Sequence, residues 1–240
     1  MMSIVKLISD RLNFSIENEG SASLVLSGGS SPISIYEELS NIDISWSKVF
    51  LTLVDDRLVE PDHKYSNQKL LHKHLIKNKA KNINFYPLTE NFLSNTEFKK
   101  PFDVTLIGMG EDGHFASLFP DMINQNEAFD LNASPKILIT PPQGNPLIPR
   151  LTMNLSLIME SLNIILLVKG KAKQNIFEKA QKEKEEAEKA EKKRIAEEER
   201  AERQRKAEEE KAKRDEAERL EKLTSIDNLK TDINTLLAKL

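Results

Sequence analysis

Leu24-Val25-Leu26-Ser27-Gly28-Gly29-Ser30-Ser31-Pro32 is a short apolar run that breaks into a glycine turn and ends on proline. A buried strand, a tight turn and a helix start give that order. A continuous apolar run of this length suits a strand covered on both faces, and proline is tolerated in a helix's first turn. The helix is expected over 33–40. Upstream, Ile4, Leu7, Ile8, Arg11 and Leu12 fall at helical spacing and predict a helix over 3–16 with its apolar residues on one face. Downstream, apolar runs at 49–54, 83–86, 104–107, 137–140 and 164–168 read as strands, with a helix over about 67–76. Such runs alternating with helices predict an α/β fold with a mainly parallel sheet covered on both faces. Ligands of such sheets sit at the strands' C-terminal ends. Three chemistry-bearing stretches fall at such ends: the Ser27 turn, Asp55-Asp56-Arg57 after the run at 49–54, and Gly108-Met109-Gly110-Glu111-Asp112-Gly113-His114 after the run at 104–107.

The charge is unevenly spread. Of 240 residues 73 are Asp, Glu, Lys or Arg, and residues 182–222 hold 31 of them in 41 positions. The remainder has 20 positive and 22 negative charges, which argues against a strongly basic nucleic-acid binder. Within the block, Glu185 to Lys189, Glu188 to Lys192, Glu199 to Arg203, Glu202 to Lys206, Glu209 to Lys213 and Glu218 to Lys222 place the acid four residues before the base, so an exposed helix is expected. Ile226, Leu229, Ile233, Leu236 and Leu240 then alternate steps of three and four, a heptad seam two heptads long. The expected organisation is a domain over 1–180, a charged helical segment over 181–222 and a short amphipathic helix over 223–240. The seam is expected either to dock on an open sheet edge or to self-associate weakly.

There is no cysteine, so neither disulfides nor thiolate metal or redox chemistry is available. No apolar span reaches membrane length, and residues 1–14 lack a signal-peptide pattern; the expectation is a cytoplasmic protein without a membrane partner.

The Ser27–Pro32 loop offers backbone N–H groups that suit a phosphate, and Arg57, Arg150 and Lys173 supply cations near other strand ends. An imidazole, with an ordinary pKa near ~6.5, is suited to take a proton from water, which singles out His114. His63, His72 and His74 read as inert, since no three ligands have zinc spacing, and no Ser-His-Asp order is visible. What is left is water activation or proton shuttling on a phosphorylated small molecule.

Taken together, Ser27 to Pro32, Asp55-Asp56-Arg57-Leu58-Val59 with Ser66-Asn67, Gly108 to Pro120, Pro149-Arg150-Leu151-Thr152 and Gly170-Lys171-Ala172-Lys173 resemble the ordered motifs of the 6-phosphogluconolactonases, over about residues 20–180. The resemblance implies a Rossmann-like three-layer fold, followed here by a long charged C-terminal helix. It implies hydrolysis of a phosphorylated sugar lactone, 6-phospho-D-glucono-1,5-lactone, in the pentose phosphate pathway, without metal or organic cofactor. It makes His114 the general base and gives Gly28, Gly29, Ser30, Ser31, Arg57, Gly110, Arg150 and Lys173 to phosphate or lactone. Asp55 would orient a hydroxyl or the histidine, and both readings stay open. Ser31 stands where threonine is usual, and Asp56 where glutamate is. No strand-like run follows Val168, although the family has a closing strand. The rival readings are an inactive lactonase-like scaffold with a partner-binding tail, and a sugar-phosphate isomerase or deaminase of the same fold.

Overall fold

The computed structural model describes residues 3–95, 97–122 and 125–237. They form two compact units, Met1–Lys179 and Ala180–Leu240. In chain order the elements are α1 (Ile4–Glu19), β1 (Ala22–Leu26), α2 (Ile33–Leu39), β2 (Val49–Leu53), β3 (Asp55–Arg57), α3 (Asn67–His74), β4 (Asn84–Phe85), β5 (Val104–Gly108), α4 (Asn126–Phe129), β6 (Ile137–Gln143), β7 (Ile148–Met153), α5 (Leu155–Met159), β8 (Ile164–Leu167) and α6 (Lys171–Leu237).

Five strands make a parallel sheet in the order β4-β2-β1-β5-β8. The chain moves from β1 to one side for β2 and β4, then crosses to the other for β5 and β8. The topological switch point therefore lies between β1 and β5, where a binding crevice is expected. Every residue of β1 is buried, as a central strand covered on both faces requires. Val5, Ile8, Leu12 and Ile16 are the buried stripe of α1, Ser3 caps its start by accepting from Lys6 N, and Gly20 ends it. Tyr36, Phe102, Leu24, Leu26, Leu51 and Leu106 are among the largest fully buried side chains, each contributing roughly 1.5–3 kcal/mol of transfer free energy.

A buried carboxylate ties α1 to the sheet. Asp103 accepts from Ser15 Oγ (2.6 Å), Ser23 N (2.7 Å), Ser23 Oγ (3.1 Å) and Lys99 Nζ (3.0 Å). Four donors satisfy a charge that would otherwise be costly to bury.

The sheet departs from the sequence reading in one respect. Ile137–Gln143 is a strand as expected, but it belongs to a second, antiparallel sheet in the order β3-β7-β6. Asp55-Asp56-Arg57 is itself a strand of that sheet. β8 forms one edge of the parallel sheet, with Ile164 and Leu166 each 37% exposed, and no strand follows it among the described residues.

α6 is unbroken through the charged block and into the seam. Four of the six expected i,i+4 pairs form, Glu199–Arg203, Glu202–Lys206, Glu209–Lys213 and Glu218–Lys222, at 2.6–3.7 Å. Glu188 is instead paired with Lys184 at 3.7 Å. Ile226 and Leu229 of the seam are exposed. Leu240 and the side chains of Ile233 and Leu236 lie outside what is described. No helix among the described residues is long and apolar enough to cross a membrane.

Candidate active site

At the switch point the loops after β1 and β5 are fastened together. Ser27 N donates to Leu106 O (3.0 Å) and Ser27 Oγ accepts from Gly108 N (3.1 Å). The fully buried Tyr36 donates its hydroxyl to Ser27 O at 2.6 Å, and burial pushes that phenol far above the ordinary range, so it stays a donor. A cavity of about 230 Å³ opens above these loops. It is lined by Gly28, Gly29, Ser30, Ser31, Asp55, Arg57, Gly110, His114, Arg150 and Lys173, the ten candidate residues of the sequence, brought together from five stretches of chain. Asn67, Met109, Ala116 and Asn145 also line it. Asn145 had no signal in the sequence; it reaches the site through the turn between β6 and β7.

Two glycines are required by close approach. A Cβ on Gly28 would stand 1.8 Å from Asn67 Oδ1, and one on Gly110 would stand 2.3 Å from the His114 ring. The turn after β5 thereby folds tightly enough for Gly110 N to donate to His114 O at 2.7 Å. Within it, Asp112 Oδ1 lies 2.5 Å from His114 Nδ1 and accepts the His114 backbone N–H at 3.2 Å. Partial burial tends to raise the Asp112 carboxyl, but the hydrogen bonds from His114 outweigh it and hold the group below its ordinary value. An ionised Asp112 accepts from Nδ1–H, which leaves the Nε2 lone pair as the basic site. The ring also stacks on Phe119, with centroids 4.6 Å apart.

Asp55 takes a different partner. Its Oδ2 accepts from Ser117 Oγ at 2.5 Å, and Ser117 N in turn donates to Thr152 Oγ1 at 3.2 Å. Its neighbour Asp56 faces away from the cavity and accepts from the backbone N–H groups of Arg57, Asn67 and Gln68 and from Ser66 Oγ, at 2.6–3.3 Å. Burial raises the Asp56 carboxyl despite those bonds. Asp56 thus anchors the start of α3, which carries Asn67 to the site; Asn67 Nδ2 donates to Asp55 O, and its Oδ1 accepts from Arg57 Nη1.

Both arginines come from the antiparallel sheet, where Asp55 pairs with Thr152 and Arg57 with Arg150, and Lys173 comes from α6. Side chains two apart on a strand share a face, so Asp55, Arg57, Thr152 and Arg150 belong to one face of the ladder. Arg150 is only 3% exposed, and its guanidinium lies 5.4 Å over the Phe119 ring. The Nε atoms of Arg57 and Arg150 are buried without a hydrogen-bond partner. Two such donors over a glycine loop suit an anionic ligand. Among the described residues no cluster of His, Cys, Asp and Glu could hold a metal ion.

Residues 1–202 match the family model of the glucosamine-6-phosphate isomerases/6-phosphogluconolactonase. The chain belongs to this family. Within the glucosamine-6-phosphate isomerase/6-phosphogluconolactonase family it is similar to the 6-phosphogluconolactonase of Helicobacter pylori strain J99, 34% identical over 190 residues that cover 75% of this chain and 81% of that one. The corresponding enzyme of Pseudomonas putida is 37% identical over 179 residues, 69% of this chain and 72% of that one. Among solved family structures, the 6-phosphogluconolactonase from Shewanella baltica OS155 superposes with a TM-score of 0.66 at 34% identity, covering 74% of this chain and 79% of that one. That from Thermotoga maritima gives 0.64 at 27% identity, covering 75% and 84%.

Proposed function

We propose that this chain hydrolyses 6-phospho-D-glucono-1,5-lactone to 6-phosphogluconate, and that His114 is the general base. The observation that carries the reading is the Asp112–His114 pair at 2.5 Å, whose histidine lines the same cavity as two arginines with unpartnered Nε atoms. The family membership and the 6-phosphogluconolactonases among its relatives support it.

In this reading Arg57 and Arg150 hold the phosphate, with Lys173 and the Gly28 to Ser31 loop beside it. A carboxylate such as Asp55, held by Ser117, orients a hydroxyl of the lactone. His114 Nε2 takes a proton from a water molecule as its oxygen bonds to the lactone carbonyl carbon. Negative charge develops on the carbonyl oxygen. The tetrahedral adduct then collapses, the bond from that carbon to the ring oxygen breaks, and the ring oxygen receives the proton from the imidazolium. The carboxylic acid formed loses its proton to solvent. Asp112 does not exchange a proton in this scheme; it fixes the tautomer and stabilises the imidazolium.

The decisive assay follows freshly made phosphogluconolactone with the spontaneous rate subtracted, beside glucosamine 6-phosphate. Acceleration of lactone opening with no release of ammonia is the expected result. No acceleration of lactone opening would favour the inactive scaffold, and release of ammonia would move the chain to the deaminases.

A further inference from the structure

A second cavity, of about 430 Å³, adjoins the first and shares Gly29, Ser30, Arg57 and Asn67 with it. Its other walls differ in character. Lys64, Lys69 and Lys73 line it with Arg57, and no carboxylate does. Lys69 and Lys73 stand one turn apart on α3, so they share a face of that helix. Glu37 on α2 is paired with His74 at 2.8 Å and Lys77 at 3.9 Å, and Lys69 Nζ donates to the neutral backbone carbonyl of Asp62, which leaves its charge unpaired by a carboxylate there. The α3 N-terminus is engaged too, since Asp56 takes the N–H groups of Asn67 and Gln68 and Ser66 caps Lys69 N. The cavity's positive charge therefore comes from side chains alone.

One wall is apolar. It is made by Ile33 and Leu70 with the Tyr65 ring, which is 38% exposed and carries Lys64 Nζ 4.8 Å from its centroid. We propose that this cavity binds a nucleoside diphosphate group, with its phosphates on Lys69, Lys73 and Arg57 and its base against Tyr65 and Leu70. A single phosphate ester carries at most about two negative charges, so four lining cations call for at least two phosphoryl groups. A tyrosine flanked by aliphatic side chains offers the flat apolar surface on which a base stacks. The volume lies in the range of small-molecule sites, roughly 300–1,000 Å³. Because Arg57 borders both cavities, the nucleotide and the phosphorylated substrate compete for one guanidinium. The site couples lactone turnover to the nucleotide pool.

Titration calorimetry of the full chain at fixed ionic strength tests this with ADP, inorganic pyrophosphate, inorganic phosphate and adenosine, none of which depends on the lactone reaction. ADP should bind at least tenfold more tightly than phosphate or adenosine, with pyrophosphate between. The Lys69→Ala/Lys73→Ala double variant should weaken ADP at least tenfold while leaving the KM for lactone within twofold. Tyr65→Ala should weaken ADP and leave pyrophosphate unchanged. In the lactone assay, ADP should raise the apparent KM without lowering kcat. Equal affinity of ADP for parent and double variant, or ADP binding no tighter than phosphate, would overturn the site; ADP that binds without affecting the apparent KM would overturn the sharing of Arg57. An ADP isotherm obtained on a protein inactive toward lactone would support the site and sink only the lactonase reading.

Discussion

Arg57 and Arg150 stand directly opposite one another in the β3–β7 ladder. Like charges in that position repel, and here neither Nε has a partner to offset the repulsion. Burial lowers the Arg150 pKa first and the charge of Arg57 lowers it further, against the opposing pull of Asp55 and Asp112. A phosphate placed between the two would reverse the sign of the interaction. The fold thus holds an unfavourable pair that a dianion makes favourable.

Replacing either arginine by alanine should therefore raise the KM for the phosphorylated lactone roughly 10- to 100-fold, the scale of one charge-assisted bond of about 1.5–3 kcal/mol. Arg150→Met should in addition leave the ligand-free protein as stable as the parent or more so, because it removes a buried charge and keeps the contact with Phe119. Thermal melts with and without 6-phosphogluconate measure both effects. A ligand-free melt lowered by several degrees would show that Arg150 stabilises the fold instead.

His114→Ala should lower kcat by on the order of 100-fold or more with the fold retained, the usual scale for loss of a general base. Asp112→Asn should lower kcat about 10-fold or more and leave KM unchanged, since it acts on the imidazole and not on the phosphate. Unchanged kcat in the asparagine variant would remove Asp112 from the mechanism even if His114 stays.

The two glycine turns and the Asp55 to Arg57 cluster were legible from their places at the ends of β1, β5 and β2, which parallel pairing brings together; Arg150 and Lys173, on β7 of the antiparallel sheet and on α6, had their site roles from the family resemblance. Partners were harder to read. The Oδ2 of Asp55 accepts from the Ser117 hydroxyl, 62 residues away, a partner the sequence did not suggest, and the histidine is met by Asp112, two residues away in a turn whose geometry no periodicity reports. The antiparallel sheet was hidden for a local reason. Asp55-Asp56-Arg57 is wholly charged, and Pro149 interrupts the apolar run of β7, so neither resembles a strand until the other is beside it.

Asp103 should matter to stability and not to chemistry. Asp103→Ala strands the donors of Ser15, Ser23 and Lys99 and should cost about 3–5 kcal/mol, with kcat per folded molecule unchanged. Lys99 has a matching pH signature. Burial tends to lower its pKa, but bonds to Glu19 (2.7 Å) and Asp103 (3.0 Å) prevail and hold it above the ordinary 10.5. A cation whose folded pKa is raised contributes fully below its ordinary value, and the contribution fades as pH rises through the raised one. The melting temperature should therefore fall more steeply above about pH 10.5 in the parent than in Lys99→Met. Parallel curves would exclude the linkage.

The tail is best tested by cutting the chain after Lys222. Every residue lining either cavity lies at or before Lys173, and the i,i+4 pairs of the charged block contribute only ~0.2–0.5 kcal/mol each, within the helix itself. Lactone hydrolysis by the shortened chain should match the parent within about twofold. The exposed leucines and isoleucines near the cut do not make a long stripe. Leu220, Leu223, Ile226 and Leu229 are spaced by three, and each step of three turns about 60° backward around a helix of 3.6 residues per turn, so Leu220 and Leu229 stand on opposite sides. The seam that begins at Ile226 is the only run in that region with a heptad period, and two heptads are marginal as a coiled coil. Self-association should accordingly be weak, seen by sedimentation only at high protein concentration, and absent after the cut. A full chain that stays monomeric at every concentration would show that the seam does not pair with a second copy, while a shortened chain that still self-associates would place the contact on the first unit, where the half-exposed Ile164 and Leu166 of the β8 edge are the residues to change next.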